Sequence, residues 1–329
     1  MSLLARNAEH FFWLGRYIER AASISRIIEI HSAHDRGGDT DLSWGWLVAL
    51  YSDEALFKKS HAEFSFKNVI RFYVSDGGNP GSIASALRAA RENARALRAV
   101  IPTEMWNHLN QFHNRFLELD ETDLDLICLS RTCGTIKNGC YAQLGVIEST
   151  LYRDEGERFF RLGLMIERAD QTSRLLDVKF AQLATRATSN AEVADATFWA
   201  LVLRSAAAYQ AFRRLERKSA DPASVARFLL LNPCHPKSVA CCATEIQRVL
   251  QELRSGYALR QTSYALEKLD VLVDGLEHAS RDSSLVTRLH DINDWLQLRL
   301  ADLTNELAIR FFGAEPPQQQ SQSQSQSVA

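Results

Sequence analysis

Two acid–base dipeptides, Glu19-Arg20 and Glu167-Arg168, are the residues of this 329-residue chain whose types and spacing invite chemistry. A glutamate in a partly apolar niche can have its pKa raised and act as a general acid or base, whereas nearby arginines hold it ionised. An arginine beside it can grip a carboxylate or phosphate through paired N–H donors. Each dipeptide sits in a 21-residue segment, EHFFWLGRYIERAASISRIIE (9–29) and ERFFRLGLMIERADQTSRLLD (157–177), and 11 of the 21 aligned positions are identical. Among them are Gly15/Gly163, Glu19/Glu167, Arg20/Arg168 and Arg26/Arg174. A helical core accepts any apolar residues of similar volume. Identical Gly, Glu and Arg at identical spacing therefore point to something narrower than packing.

The element that positions these residues is a helix. At 3.6 residues per turn, Phe11, Leu14, Ile18, Ala21, Ile24 and Ile28 form an apolar stripe, with Phe12, Gly15, Glu19 and Arg26 on the stripe beside it. A helical glycine costs about 1 kcal/mol relative to alanine, so Gly15 and Gly163 predict the close approach of another backbone or a ligand. Arg16, Arg20 and Arg26 lie within helical reach of Glu19; Leu164 replaces Arg16 in the second segment, so the two sites are related but not equivalent. Adjacent residues point about 100° apart on a helix. Glu19 and Arg20 thus need partners elsewhere, on the other segment or on Arg26 and Arg174. One reading makes the dipeptides buried ion pairs that fix the two helices. The other makes them a polar cavity that binds an acidic or amino-acid-like group through Arg20 and Arg168, with Glu19 and Glu167 as catalytic candidates.

The paired LGRYIERA and LGLMIERAD segments resemble the bacterial alpha-E family, all-helical proteins named for their Glu-Arg motif. The likeness continues through NPGSIASALRAARENARALR (79–98) and DEGERFFRLGLMIERADQTSRLLDV (154–178), and covers nearly the whole chain except its tail. Genes of that family tend to accompany circularly permuted ATP-grasp ligases and transglutaminase-like proteins. The resemblance implies a helical protein attached to amide-bond or peptide-modification chemistry, as a non-catalytic partner of such a ligase or transglutaminase-like protein. A small amino-acid or peptide ligand and a homo-oligomer are further expectations. The alternatives are a stand-alone enzyme using Glu19 or Glu167 as acid/base on an amide or amino-acid substrate, and a purely structural scaffold.

Other constellations are weaker. Arg88, Arg91, Arg95 and Arg98 share one helical face and could meet an acidic partner, although such stripes are commonly solvated faces. Six cysteines without a CxxC pair do not make a disulfide framework in a chain this long. Cys133 and Cys140 on one helical face, and His31 and His34 beside Asp35, are poor metal sets. His108 and His113 are too far round a helix to share an ion. Neither a Walker-type loop, a dinucleotide glycine loop, GxSxG nor HExxH occurs. No metal or cofactor is expected. A net charge of −2 gives no basic field for nucleic acid. No apolar run approaches the ~20 residues that span a bilayer, and the N-terminus lacks a signal peptide's apolar region, so the expected location is the cytoplasm.

With 15 Gly and 7 Pro in 329 residues and little β-type alternation, the chain reads as all-α. Helices are expected at about 6–33, 42–59, 65–75, 80–99, 102–119 and 122–152, then 156–187, 193–217, 237–254, 258–279 and 282–312. Asn79-Pro80 is expected to cap the helix at 80–99. VARFLLLNPCHPKSVACC (225–242) mirrors VIRFYVSDGGNPGSIASA (69–86), matching Pro80 with Pro236 and Ser82 with Ser238. These matches predict an internally duplicated helical bundle, residues 1–313, with halves of about 1–153 and 154–313 related by a pseudo-twofold. GGDTDLS (37–43) reads as a loop, and the Gln/Ser-rich residues 314–329 as a disordered tail.

Overall fold

A computed structural model describes residues 3–35, 44–185, 191–216, 220–282 and 284–314; the loop at 37–43 and the tail from 315 lie outside these. Among the described residues the fold is all-α, with fourteen α-helices and no strand. Helix α1 (Ala5–Asp35) is followed by α2 (Gly45–Tyr51), α3 (Glu54–Ser60), α4 (Phe66–Val74), α5 (Ile83–Ala96), α6 (Thr103–Leu117) and α7 (Leu126–Thr150). Then come α8 (Glu155–Thr185), α9 (Ala191–Ser205), α10 (Tyr209–Leu215), α11 (Pro222–Leu231), α12 (Val239–Gly256), α13 (Thr262–Arg281) and α14 (Leu289–Leu307).

Helices α1 and α8 carry the two Glu-Arg segments and form the centre. The periodicity of α1 predicts one buried stripe and a boundary stripe, but Phe12, Ala22 and Glu19 are as deeply buried as Phe11 and Leu14. The reason is that α5, α7 and α8 all pack against α1. A helix covered on several sides loses its boundary face.

The predicted helices at 42–59 and 193–217 are each two short helices. The first breaks at Ser52 (φ 56°) and the second at Ala207 (φ 57°). At Ser52 the left-handed turn lets the backbone N–H close back on the Ala49 carbonyl. This is the geometry that ends helices, usually at glycine, and neither sequence offers a glycine to mark it. The expected Asn79-Pro80 cap also moves. Ser82 Oγ accepts from the Ser85 N–H (3.1 Å) and donates to the Asp76 carbonyl (2.6 Å), so α5 starts at Ile83. Ser238 caps α12 in the same way, accepting from Cys241 N and donating to the Asn232 carbonyl. A serine cap contributes about 1 kcal/mol.

Helices α1 and α8 run parallel. At one end the Leu3 N–H donates to Glu155 (2.8 Å). Further along, a Cβ on Gly15 would lie 2.3 Å from the Phe160 carbonyl oxygen, and one on Gly163 would lie 1.9 Å from that of Phe12. Each glycine thus receives the backbone of the other helix, which admits no side chain at either point. Phe311 and Phe312, at the end of the described chain, pack on Phe159 and Phe12 and close the same end.

Candidate functional site

The close crossing at the two glycines brings Glu19 and Glu167 into the interior, where both side chains are 0% exposed. A carboxylate there must be neutralised or paired. Each is paired across the crossing. Glu167 accepts from Arg20 Nε (2.7 Å) and Nη2 (3.0 Å), and from Arg16 Nε (2.8 Å). Gln171, one turn on, donates a further bond (3.1 Å) and is itself oriented by the Tyr51 hydroxyl (2.8 Å). Glu19 accepts from Arg168 Nε (3.0 Å) and, on its other oxygen, from Lys237 Nζ. Glutamate and arginine of each dipeptide therefore serve opposite partners, as their 100° separation requires.

The geometry chooses among the expected partners. Glu19 and Arg20 pair with the opposite segment and not with each other, and Arg16, within helical reach of Glu19, points across to Glu167 instead. Arg26 and Arg174 do not reach either glutamate. Arg26 donates to the Tyr141 hydroxyl (3.0 Å), while Arg174 pairs with Asp170 (2.9 Å). The residue that sequence reasoning missed is Lys237, which stands in the turn before α12 and 218 positions from its partner. A signal for it existed. Aligning Pro80 with Pro236 and Ser82 with Ser238 sets Gly81 opposite Lys237. The segment that loses a cation at Leu164 thus gains one in its turn.

Burial works to raise the pKa of both glutamates, but the facing cations outweigh it. Lys237 and Arg168 hold Glu19 below its ordinary value, and Arg20 and Arg16 do the same to Glu167. Both are ionised carboxylates sealed from solvent. What the arrangement does chemically is fix α1 to α8. Arg16 extends it to α14 through Thr304 (3.2 Å), and Thr172 ties α8 to the Lys237 carbonyl (2.7 Å).

The four arginines expected on one helical face divide, and Arg98 lies beyond α5, which ends at Ala96 and not at 99. Arg88 donates to the Gly77 carbonyl (3.1 Å), and Arg91 to Asn110 (2.8 Å) while lying over Trp106. Arg95 pairs with Glu92 (2.9 Å) and Arg98 covers Trp106, both from exposed positions. Cys133 and Cys140 are buried free thiols whose pKa values burial pushes up. His31 is buried against Trp46, and His108 bonds Gln143 (2.6 Å). Asp177, His290 and Asp294 bring ligand-type atoms within 4.8 Å of one another. However, the two imidazole nitrogens face different aspartates, at 2.7 and 3.6 Å, so the ring bridges two carboxylates instead of converging with them on one point. Among the described residues no helix is long and apolar enough to cross a membrane.

No curated protein and no solved structure matches the chain. Residues 3–312 match a family described as a predicted alpha-helical domain with a conserved ER motif. The match covers both helices of the crossing and their Glu-Arg dipeptides, and the chain belongs to the Alpha-E family.

Proposed function

We propose that this protein is a non-catalytic binding partner in a cytoplasmic amide-bond-forming, peptide-modifying system, acting beside an ATP-grasp-type ligase or a transglutaminase-like protein. The observation that carries the non-catalytic part is the sealing of the signature residues. Glu19 and Glu167 are 0% exposed, ionised, and each held by two cations. A general base must reach its substrate's proton and have a pKa near the working pH, and both properties are opposed here. The motif's physical product is a rigid parallel pair of helices, so recognition falls to the outer faces. Arg95, near the end of α5, and Arg98, just beyond it, are exposed cations; Arg95 pairs with Glu92 and Arg98 lies over Trp106. The ligase partnership itself rests on the family resemblance.

The test is co-purification with an ATP-grasp-type ligase or transglutaminase-like protein from the same organism, using the native chain and a variant carrying Arg95→Glu and Arg98→Glu. Loss of the partner at unchanged melting temperature supports the reading and puts the surface at Arg95 and Arg98. Retention moves the surface elsewhere, and absence of any complex with the native chain refutes the partnership. Glu19→Gln and Glu167→Gln separate the other readings. A purely structural scaffold loses stability and nothing else. An enzyme loses turnover among molecules that remain folded.

A further inference from the structure

The chain turns sharply between α7 and α8, and the two helices leave a cleft of about 280 Å³ beside the Glu-Arg crossing. Leu151, Phe160 and Leu164 form an apolar wall, and Arg168 closes the inner end. At the mouth Arg153 and Arg161 are both paired with Glu148, at 2.8 and 3.1 Å.

The two ends of the Glu-Arg lock differ in how they use their arginine. Arg20 gives Glu167 both Nε and Nη2. Arg168 gives Glu19 only Nε, because Lys237 occupies the other carboxylate oxygen. Neither Nη1 nor Nη2 of Arg168 donates a hydrogen bond to another described residue, and the side chain is 17% exposed where it lines the cleft. The lock also carries surplus charge. Arg16, Arg20, Arg168 and Lys237 face the two carboxylates of Glu19 and Glu167, four cations against two anions. A partly desolvated guanidinium with two unengaged donors favours an anion, and a planar carboxylate matches its fork. Leu164 stands where α1 has Arg16, so the space beside that fork is apolar and not filled by a second cation.

We infer that this cleft binds a small amphipathic carboxylate: an amino acid with an apolar side chain, either free or as the last residue of a peptide. Its carboxylate meets the terminal nitrogens of Arg168, and its side chain lies on Leu151, Phe160 and Leu164. The volume falls just below the ~300–1,000 Å³ of pockets for drug-sized ligands, which suits one residue and excludes a large cofactor. This inference goes beyond the ligase partnership and does not require it.

Gly145 gives a test that spares the lock. It lines the cleft, and a Cβ built there meets nothing within 4 Å. Gly145→Phe fills the cleft while leaving Arg168, Glu19 and Lys237 in place, and removes a helical glycine as well. Calorimetric titration of the full chain uses N-acetyl-L-leucine, L-leucine, N-acetyl-L-leucinamide and inorganic phosphate as probes. Binding of N-acetyl-L-leucine identifies a peptide C-terminus, and binding of L-leucine alone a free amino acid. The amide should bind at least about ten-fold more weakly than its acid, the usual penalty for losing a charge-assisted hydrogen bond. Gly145→Phe should weaken the acid by a similar factor with no fall in melting temperature. The inference is overturned if neither acid binds at about 10 mM, if amide or phosphate binds as well as the acid, or if Gly145→Phe leaves binding unchanged. None of these outcomes touches co-purification with the ligase, so the two readings fail separately.

Discussion

Replacing Lys237 by methionine tests whether the two ends of the lock are interchangeable. Methionine keeps most of the lysine's apolar stem and deletes its charge. Glu19, 0% exposed, is then left with the single Nε bond from Arg168. Removing one partner of a buried ion pair costs about 3–5 kcal/mol. Arg168 remains and Lys237 is itself 13% exposed, so the lower end, about 3 kcal/mol, applies. At about 2 °C per kcal/mol for a chain of this size, the melting temperature falls by about 6 °C. The informative variant is the double one. Leu164 occupies the position of Arg16, whose Nε reaches Glu167 at 2.8 Å from the opposite helix. Leu164→Arg alone places a third cation at Glu19 and removes a buried leucine, and it should destabilise by about 2–3 kcal/mol. Added to Lys237→Met, the same arginine replaces the missing charge. The cycle should then show a favourable coupling of about 1.5 kcal/mol, within the 0.5–3 kcal/mol found for residues sharing a network. Urea unfolding of the four proteins, followed by far-UV circular dichroism, measures it. Additivity within about 0.5 kcal/mol would refute the claim that Lys237 performs at Glu19 what Arg16 performs at Glu167. A Lys237→Met protein as stable as the native chain would refute the pairing itself.

Gly163→Ala sets a methyl 1.9 Å from the Phe12 carbonyl oxygen, a backbone atom that can move only with the whole of α1. It should cost about 3 kcal/mol or more, whereas Gly145→Ala, whose Cβ meets nothing, should gain about 1 kcal/mol; urea midpoints compare the two. Because Glu19 and Glu167 are held below their ordinary value of 4.5, their pairing stabilises fully above that pH and is lost as pH falls through the folded-state values. Stability measured from pH 7 to pH 3 should therefore fall less steeply in the Glu19→Gln, Glu167→Gln double variant. His290 has the opposite sign. The Asp177 hydrogen bond raises its pKa above 6.5, so what it contributes is present below that pH and disappears as pH rises through the folded value. Since its side chain is 72% exposed, the readout is the imidazole NMR titration, which Asp177→Asn should shift back down.

Residue types alone located the centre of the fold, because a glycine, a glutamate and an arginine repeated at fixed spacing are costly inside helices unless something requires them. Their pairing was legible only as a need. The 100° rule excludes Glu19 with Arg20, but it does not choose among Arg26, Arg174 and the opposite segment, and the crossing at Gly15 and Gly163 makes that choice. Helix breaks at Ser52 and Ala207 escaped because their left-handed backbone is held by tertiary context without the glycine that sequence patterns rely on. Lys237 escaped for a different reason. A turn lysine is by itself the most ordinary of surface residues, and only the loss of Arg16 at Leu164, read together with the gain at Gly81's counterpart, gives it meaning. That exchange also separates the two ends of the lock. Moving one cation from helix to turn satisfies Glu19 while freeing the fork of Arg168 and leaving an apolar wall beside it. The two ends then differ in how the arginine is used: Arg20 gives Glu167 both Nε and Nη2, while Arg168 gives Glu19 Nε alone and turns the rest of its guanidinium to a cleft with an apolar wall. Stability alone does not require that difference, and a ligand carboxylate on Arg168 would use it.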